Sequence, residues 1–255
     1  MRFASIGSGS KGNATLVESN ETCLMIDCGF STKEVEKRLA RLAMSAEDID
    51  AILVTHEHSD HVQGVARFSR KYSTPVWMTQ GTYHHCRQRD DYPNLNIFNS
   101  HTPFEIESLT IKPFPVPHDA VEPVQFVFSD QLHHLGVLTD TGTITPHIVD
   151  MLSELDALVL EGNYDHEMLM NGPYSRQLKA RVASRTGHLS NDQAAGLLKK
   201  INSENLQHLV AVHMSEKNNC DEHVIHAFSS ALDCANEWIQ LASQDEGFHW
   251  LEISA

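Results

Sequence analysis

The chain has 255 residues and carries 19 Lys and Arg against 34 Asp and Glu, which gives a formal net charge of -15. This length fits one large domain or two small ones, and it is enough to bury a substantial core. An acidic surface of this kind repels nucleic acids and anionic membranes unless basic residues are gathered locally. The net charge therefore weighs against a nucleic-acid partner without excluding one.

The cysteines and the N-terminus indicate a cellular compartment. Five cysteines, without any CxxC pair, argue against a disulfide framework. The chain begins directly with a strand-like segment, Phe3–Ile6, and shows neither a signal-peptide pattern nor an apolar run of membrane-spanning length. We expect a cytoplasmic protein with no membrane partner.

The first part of the chain predicts a β-meander followed by alternating helices and strands. Short apolar runs separated by turn residues indicate the strands, and apolar residues at helical spacing indicate the helices. The predicted elements are strands at Phe3–Ile6, Ala14–Glu18 and Cys23–Asp27, a helix at Thr32–Leu42 with Thr32 as its N-cap, a strand at Ala51–Thr55, a helix from about Asp60 to Tyr72, and a strand at Pro75–Met78.

The remainder of the chain is rich in strands at first and then alternates with helices, which suits sheets covered by helices. The predicted elements are strands at Leu109–Phe114, Gln125–Ser129 and His133–Thr139, a helix at Thr145–Glu154, a strand at Ala157–Glu161, a helix at Asn191–Ile201 capped by Ser190, a strand at His208–His213, a helix at Asp221–Ala231, and a final hairpin of Ile239–Ala242 and Phe248–Ile253. Because no linker or repeat is visible, we expect one domain over residues 1–255.

The strongest signal is the segment Thr55-His56-Glu57-His58-Ser59-Asp60-His61, where a buried strand gives way to a helix. His56 and His58 are two residues apart in extended backbone, so their side chains leave on the same side. Asp60 and His61 follow where the chain has turned. Imidazoles and a carboxylate suit zinc, and also manganese or iron. The alternative is a histidine-rich loop without a metal, but burying these groups together without a cation would be costly.

This HxHxDH segment is that of the metallo-β-lactamase superfamily, and further superfamily motifs follow in the same order along the chain. The resemblance implies an α/β (α+β) fold, a four-layer αββα sandwich, that binds two divalent metal ions, zinc or manganese. It assigns His56, His58 and His118 to one metal and Asp60, His61 and His213 to the other, with Asp140 shared. It also implies that Asp27, which ends an early strand, orients a ligand histidine or the corner loop.

Three later segments resemble the phosphodiesterase branch of this superfamily, which includes the tRNA-processing endonucleases. They are Glu161-Gly162-Asn163-Tyr164, Gly187-His188-Leu189-Ser190 and His213-Met214-Ser215. The resemblance implies that His188 binds phosphate or protonates the leaving group, while a loop histidine that only caps a helix is the alternative. Glu161 either orients His188 or is an ordinary strand-end carboxylate. We take Asp60, His188 and Glu161 as the candidate catalytic residues.

Two more segments, Ser8–Thr15 and His213–Asn219, resemble the YycJ/WalJ-like group. This resemblance runs from end to end of the chain and implies 5′ to 3′ exonuclease activity on double-stranded DNA.

A local basic cluster is compatible with such a polyanion. Arg176, Lys179, Arg181 and Arg185 come just before His188 and could contact phosphates, although a solvated helix face explains them as well. Tyr164 and Ser215 are further candidates for substrate contact. The helix that begins near Ser190 is expected to offer amide donors to an anion.

Three functions therefore compete. The first is a metal-dependent phosphodiesterase acting on DNA, favoured by the basic cluster and by His188. The second is a small-molecule hydrolase for a cyclic phosphodiester, thioester or lactone, favoured by the net charge of -15. The third is a non-catalytic metal-binding or regulatory protein, which would leave a complete ligand set idle.

Overall fold

The computed structural model describes residues 1–86 and 92–254. The strands are β1 (Arg2–Gly7), β2 (Ala14–Ser19), β3 (Thr22–Ile26), β4 (Ala51–Leu53), β5 (Val76–Thr79), β6 (Leu95–Phe98), β7 (Phe104–Ile106), β8 (Leu109–Pro115), β9 (Val124–Ser129), β10 (His134–Leu138), β11 (Ala157–Glu161), β12 (His208–Val212), β13 (Ile239–Leu241) and β14 (Phe248–Glu252). The helices are α1 (Thr32–Arg41), α2 (Ser59–Val62), α3 (Val65–Tyr72), α4 (Gln80–His85), α5 (Pro146–Met151), α6 (His166–Asn171), α7 (Arg176–Val182), α8 (Asn191–Leu198) and α9 (Asp221–Leu232).

The strands form two seven-stranded mixed sheets, in the orders β14-β1-β2-β3-β4-β5-β6 and β13-β12-β11-β10-β9-β8-β7. In the first sheet β3 to β6 run parallel, and in the second β10 to β13 do. The carboxyl ends of parallel strands meet at one edge of a sheet, so the loops that follow them are brought together there.

Alternation along the strands divides the apolar residues among three buried layers. In β3, Leu24 and Ile26 face the core between the two sheets, whereas Cys23 and Met25 face the layer that α1 and α3 cover. The outer face of the second sheet packs against α5, α8 and α9. The result is a helix–sheet–sheet–helix sandwich, as predicted. Among residues 1–86 and 92–254, no helix is both long and apolar enough to cross a membrane.

The predicted C-terminal hairpin is wrong. β13 adds to the edge of the second sheet, parallel to β12, while β14 pairs antiparallel with β1 in the first sheet. The tight turn between Ser243 and Gly247 does form, but it carries the chain from one sheet to the other. Gly247 has a left-handed backbone (φ 64°), and a Cβ there would lie 2.0 Å from the carbonyl oxygen of Ser5. Alternating apolar residues fit either pairing, so the pattern could not distinguish them.

Two helix predictions also need correction. The helix expected from Asp60 to Tyr72 is broken into α2 and α3 at Gly64. A Cβ on Gly64 would lie 1.9 Å from the carbonyl oxygen of Phe30, so the loop after β3 presses against the break. The N-cap of α1 is Ser31, whose hydroxyl accepts from the amide of Glu34, and not Thr32. The short elements β6, β7, α4, α6 and α7 were not predicted.

Candidate metal centre

The predicted ligands come together where the strands of both sheets end. The donor atoms of His56, His58 and His118 lie within 4.8 Å of one another, and so do those of Asp60, His61 and His213. We call these sets the His triplet and the Asp triplet. This is the same division that the family resemblance implied.

Asp140 lies between the two triplets. Its Oδ2 is 3.3 Å from Nε2 of His61 in the Asp triplet, and its Oδ1 is 3.9 Å from Nε2 of His118 in the His triplet. The backbone of Asp140 is left-handed (φ 48°), as is that of His213 (φ 53°) and of Asp27 (φ 61°). Residues held in this sparsely populated region cluster at functional sites, where the surrounding structure has to impose it.

Hydrogen bonds fix which nitrogen of each His-triplet ring faces inward. The hydroxyl of Thr55 donates to Oδ2 of Asp27 (2.8 Å), so it accepts from Nδ1 of His56 (2.9 Å). The other nitrogen of His56, Nε2, then carries a lone pair. Nδ1 of His118 donates to the carbonyl of Gly187 (3.1 Å) by the same logic, since a carbonyl only accepts.

His58 is turned the other way. Its Nε2 donates to the carbonyl oxygen of Asp119 (3.2 Å), which leaves the lone pair on Nδ1. That atom lies 3.2 Å from Nε2 of His118. Two lone pairs at this distance repel unless a cation lies against both. A tetrahedral zinc site with Zn–N distances of about 2.1 Å separates its nitrogens by about 3.4 Å. The His triplet therefore fits a cation.

The Asp triplet is oriented mainly by carboxylates. Nδ1 of His61 donates to Oδ2 of Asp27 at 2.7 Å, while Oδ1 of Asp27 accepts from the amide of Thr55. Asp27 thus orients a ligand histidine and the corner loop together. Nδ1 of His213 lies 3.2 Å from Nδ2 of Asn163 and 3.4 Å from Oε1 of Glu161, and Nε2 of His213 faces Asp60 at 3.6 Å.

Three inward atoms are buried and lack a hydrogen-bond partner among the described residues: Nε2 of His56, Oδ2 of Asp140 and Nε2 of His213. Burying unpaired polar atoms costs about 1–3 kcal/mol each. Cations bound by both triplets would satisfy all three atoms at once. Nitrogen and carboxylate donors suit zinc and manganese.

The two triplets differ in electrostatics. Burial holds the pKa of His56 well below its usual value and lowers the pKa of His118. Burial also acts to lower the pKa of His61, but the carboxylates of Asp140 and Asp60 outweigh it and raise the pKa well above its usual value. The pKa of His213 rises to about 10 for the same reason, despite its burial. The Asp triplet is thus a strongly negative environment that attracts positive charge.

His188 lies beside this centre and is held by Glu161. Nδ1 of His188 donates to Oε1 of Glu161 at 2.7 Å, and Oε2 of Glu161 accepts from the amides of Thr141 and Leu189. Burial opposes the charged form of His188, but Glu161 raises its pKa above the ordinary value. Glu161 is fully buried, and its carboxylate contacts both His188 (2.7 Å) and His213 (3.4 Å). This geometry favours an orienting role for Glu161 over that of an ordinary strand-end carboxylate.

A cleft of about 230 Å³ opens onto the centre. Its walls include ligands from both triplets together with Asp140, His188, Tyr174, Arg181 and Ser215. Tyr164, which we expected to contact substrate, is buried (3% exposed) and does not line the cleft. The aromatic residue that does so is Tyr174, which sequence reasoning missed; it precedes Ser175, the N-cap of α7.

The basic cluster is only partly directed at the cleft. Arg181 lines it and forms an ion pair with Asp119 (Nε to Oδ2, 2.7 Å). Nζ of Lys179 instead donates to the carbonyl of Met170, away from the lining residues. Arg176 and Arg185 are exposed and do not line the cleft. Arg181 is the member of this cluster that lines the cleft, and contact of Arg176, Lys179 and Arg185 with phosphates stays a prediction.

Ser190 acts as the N-cap of α8, and three amides at this helix start have partners within the protein, while anion binding there stays a prediction. The hydroxyl of Ser190 accepts from the amide of Gln193, whose side chain accepts from the amide of Ser190. The amide of Asn191 donates to the carbonyl of Tyr164. These amides are therefore already used. Ser215 does line the cleft, where its hydroxyl also accepts from the amide of Asn218.

The loop Ser8–Asn13 supports the Asp triplet, a role that sequence reasoning missed. The hydroxyl of Ser8 accepts from the amide of His213 (2.9 Å) and donates to Oδ1 of Asn13 (3.2 Å). The amide of Asn13 donates to the carbonyl of Asp60 (2.8 Å). Through these bonds a loop of the first sheet holds ligands that come from both sheets. The signal in the sequence was its conspicuous Ser-Gly-Ser-Lys-Gly-Asn composition.

Comparison with known proteins agrees with the fold and the centre. A family model described as a beta-lactamase superfamily domain matches residues 22–214, so the chain belongs to this superfamily. The solved structure of the metallo-beta-lactamase fold protein YhfI from Bacillus subtilis superposes with a TM-score of 0.75 at 15% identity, covering 98% of each chain. At that identity the match shows the fold alone.

Sequence relatives narrow the class to the YycJ/WalJ family. The chain is 31% identical over 236 residues to "Exodeoxyribonuclease YycJ" of Bacillus anthracis, covering 91% of this chain and 89% of the relative. It is 32% identical over 226 residues to "Exodeoxyribonuclease WalJ" of Streptococcus pneumoniae, covering 87% and 84%. With its cluster of His and Asp donors, the chain is a metal-dependent hydrolase.

Proposed function

We propose that this hydrolase is a DNA exonuclease that removes nucleotides from the 5′ ends of double-stranded DNA. The observation that carries the proposal is His188, which is fixed by Glu161 at 2.7 Å and lines the same cleft as the metal ligands. The full-length similarity to two proteins named exodeoxyribonucleases supports DNA as the substrate. Our expectation of 5′ to 3′ polarity rests on the family resemblance.

We further propose that the centre binds two divalent cations, zinc or manganese, one in each triplet, with Asp140 between them. When bound, such cations activate water as a nucleophile and offset negative charge on a phosphoryl group. Asp60 contributes the half-buried carboxylate of the Asp triplet, and its Oδ2 faces the inward nitrogens of both His61 and His213.

His188 then supplies the proton that the cations do not. Because Nδ1 is bonded to Glu161, the free position of the ring is Nε2. A protonated Nε2 donates to the departing alkoxide oxygen as the P–O bond breaks, and the raised pKa of His188 keeps that proton available near neutral pH. Arg181, on the wall of the cleft, is placed to offset charge on the phosphate.

A small phosphodiester is a second candidate substrate, and the size of the cleft favours it. A volume of about 230 Å³ is below the roughly 300–1,000 Å³ of ordinary ligand pockets. A duplex does not fit inside such a space, although the end of one strand does. Cyclic mononucleotides and bis(p-nitrophenyl) phosphate belong in the same assay as DNA.

The test uses a duplex labelled at either the 5′ or the 3′ end, incubated with protein loaded with manganese or with zinc. We expect early release of labelled mononucleotide from the 5′-labelled duplex only, and its loss in His188→Ala. His249→Ala, which removes an exposed histidine of β14, is the matched control. If a protein shown to contain two metals hydrolyses the small phosphodiesters but not DNA, the DNA proposal is wrong and the substrate is a small phosphodiester.

A further inference from the structure

We propose that the cleft contains a nucleobase subsite, formed by Tyr174, Leu178, Val182 and Met214, that receives the base of the nucleotide being removed. The proposal rests on the proposed function and adds a recognition element to it. The phosphate would lie at the metal ligands, and the base would lie against this apolar wall.

The wall and the chemical groups belong to one small space. Tyr174 and two α7 side chains, Leu178 and Val182, line the cleft together with His188 and Asp140. The backbone connects them as well, since the amide of His188 donates to the carbonyl of Val182 (2.9 Å). Met214 directly follows the ligand His213. A group bound at the metal ligands is therefore within one nucleotide's reach of the wall.

The folded core explains Met214, which packs against the apolar cluster of the second sheet, but the described core clusters do not include Tyr174, Leu178 or Val182. None of the residues of α7 is buried, and Leu178 is 36% exposed. Apolar surface left open beside a few convergent polar groups is the usual composition of a ligand site. The α7 helix is held over the cleft by polar bonds, in particular the ion pair of Arg181 with Asp119, which adjoins His118. Apart from Met214, the wall therefore has no partner in the apolar core of the described residues.

The size and shape of the cleft point to a base as that partner. About 230 Å³ leaves room for one planar group beside a phosphate, and no room for a base pair. Nζ of Lys217 lies 5.9 Å from the centroid of the Tyr174 ring, so a base would stack on the opposite face of that ring. One such stack is worth about 1–3 kcal/mol and is open to any base. The subsite would therefore bind a terminal base after it has left its pair, with little preference among sequences. This geometry also accounts for digestion from an end.

The experiment compares two duplexes that differ at one position, a 5′-terminal thymidine or a tetrahydrofuran residue that lacks the base. For wild-type protein we expect kcat/KM to be roughly tenfold or more higher with the base present. Tyr174→Ala and Leu178→Ala should each lose most of this difference, because kcat/KM falls more on the thymidine end than on the abasic end. Tyr174→Phe should preserve it, and Leu132→Ala, which truncates a leucine 76% exposed elsewhere, should have no effect. Equal losses on both duplexes would contradict the subsite.

A binding measurement separates this proposal from the proposed function. Affinities of the metal-loaded protein for thymidine 5′-monophosphate and for 2-deoxyribose 5-phosphate can be measured whether or not DNA is cleaved. Tighter binding of the nucleotide by wild-type protein, reduced to that of the sugar phosphate in Tyr174→Ala, supports the subsite even if no nuclease activity is found. Equal affinity for both ligands in wild-type protein would overturn the subsite and leave the nuclease proposal standing.

Discussion

The two ligand triplets lie side by side but are built differently. The His triplet consists of imidazoles turned inward by hydrogen bonds to the hydroxyl of Thr55 and to two backbone carbonyls. The Asp triplet contains a carboxylate of its own and faces Asp140 and Asp27, and the loop Ser8–Asn13 ties its backbone down. The first set relies on oriented lone pairs, whereas the second relies on negative charge. We expect cation binding to respond to different changes at the two sets.

The largest effect is expected from the residue that the two triplets share. Asp140→Ala should weaken the binding of both cations and reduce the rate of hydrolysis by about 10³-fold or more. The reason is that the substitution removes the carboxylate that lies between the two triplets. Metal content per chain and the initial rate are the measurements. Asp192→Asn, which changes an exposed carboxylate at the start of α8, should alter neither. Loss of one cation only would contradict the shared position of Asp140.

Removing the proton donor should separate chemistry from metal binding. His188→Ala is expected to lower kcat on DNA by about 10²–10⁴-fold while both cations stay bound. The loss should be much smaller on bis(p-nitrophenyl) phosphate, because p-nitrophenolate leaves without a proton. A similar loss on both substrates would contradict a role in leaving-group protonation.

Glu161→Gln should act through His188 and shift a pH profile. Glu161 raises the pKa of His188, so the substitution lowers that pKa. The proton donor is then lost at a lower pH, and the alkaline limb of the rate profile moves toward acid. If the pH–rate profile measured from pH 5 to 9 is unchanged by the substitution, Glu161 does not act by raising the pKa of His188.

A substitution in the loop Ser8–Asn13 should weaken metal binding at the Asp triplet and leave metal binding at the His triplet unchanged. Ser8→Ala removes the hydroxyl that holds His213, so one of the two cations should bind about 10- to 100-fold more weakly. Titration of the metal-free protein with zinc should show one site weakened and one unchanged. Ser10→Ala alters an exposed serine at the cleft and should leave both sites intact.

Metal binding at the two triplets should also differ in its pH dependence. In the metal-free protein the pKa of His61 is raised and that of His213 is about 10, so a cation at the Asp triplet must displace protons. Its affinity should rise with pH, by up to about tenfold per unit for each proton displaced. The lowered pKa values of His56 and His118 mean that these two ligands release few protons near neutral pH, so the dependence at the His triplet should be shallower. Parallel slopes for the two sites in calorimetry would contradict the contrast.

The smallest effect concerns Ser190, which caps α8. Ser190→Ala should reduce the free energy of unfolding by about 1 kcal/mol through loss of the cap and leave the metal content and kcat/KM unchanged. Denaturant unfolding and the nuclease assay measure the two quantities. A clear loss of activity at unchanged stability would support the anion-binding role expected from the sequence.

The layers and the corner of four donors could be predicted because both depend on local patterns, whereas His118, Asp140 and His213 were assigned through the family resemblance. Alternation in β3 and β12 sets which side chains face the inter-sheet core, and the HxHxDH segment places four donors within six residues. Where an edge strand pairs is a tertiary choice, so β13 and β14 were misplaced. The cleft wall was missed because Tyr174 and Leu178 carry no motif, while Tyr164 sat in one and is buried. One domain over residues 1–255 stays a prediction.

The most direct test of the account is a crystal structure of protein grown with manganese or zinc, with anomalous diffraction recorded at the metal edge. We predict two peaks, one bound by Nε2 of His56, Nδ1 of His58 and Nε2 of His118, and the other among Asp60, His61 and His213. The carboxylate of Asp140 should lie between them. A single peak, or coordination through the opposite nitrogen of His58, would contradict the two-triplet centre.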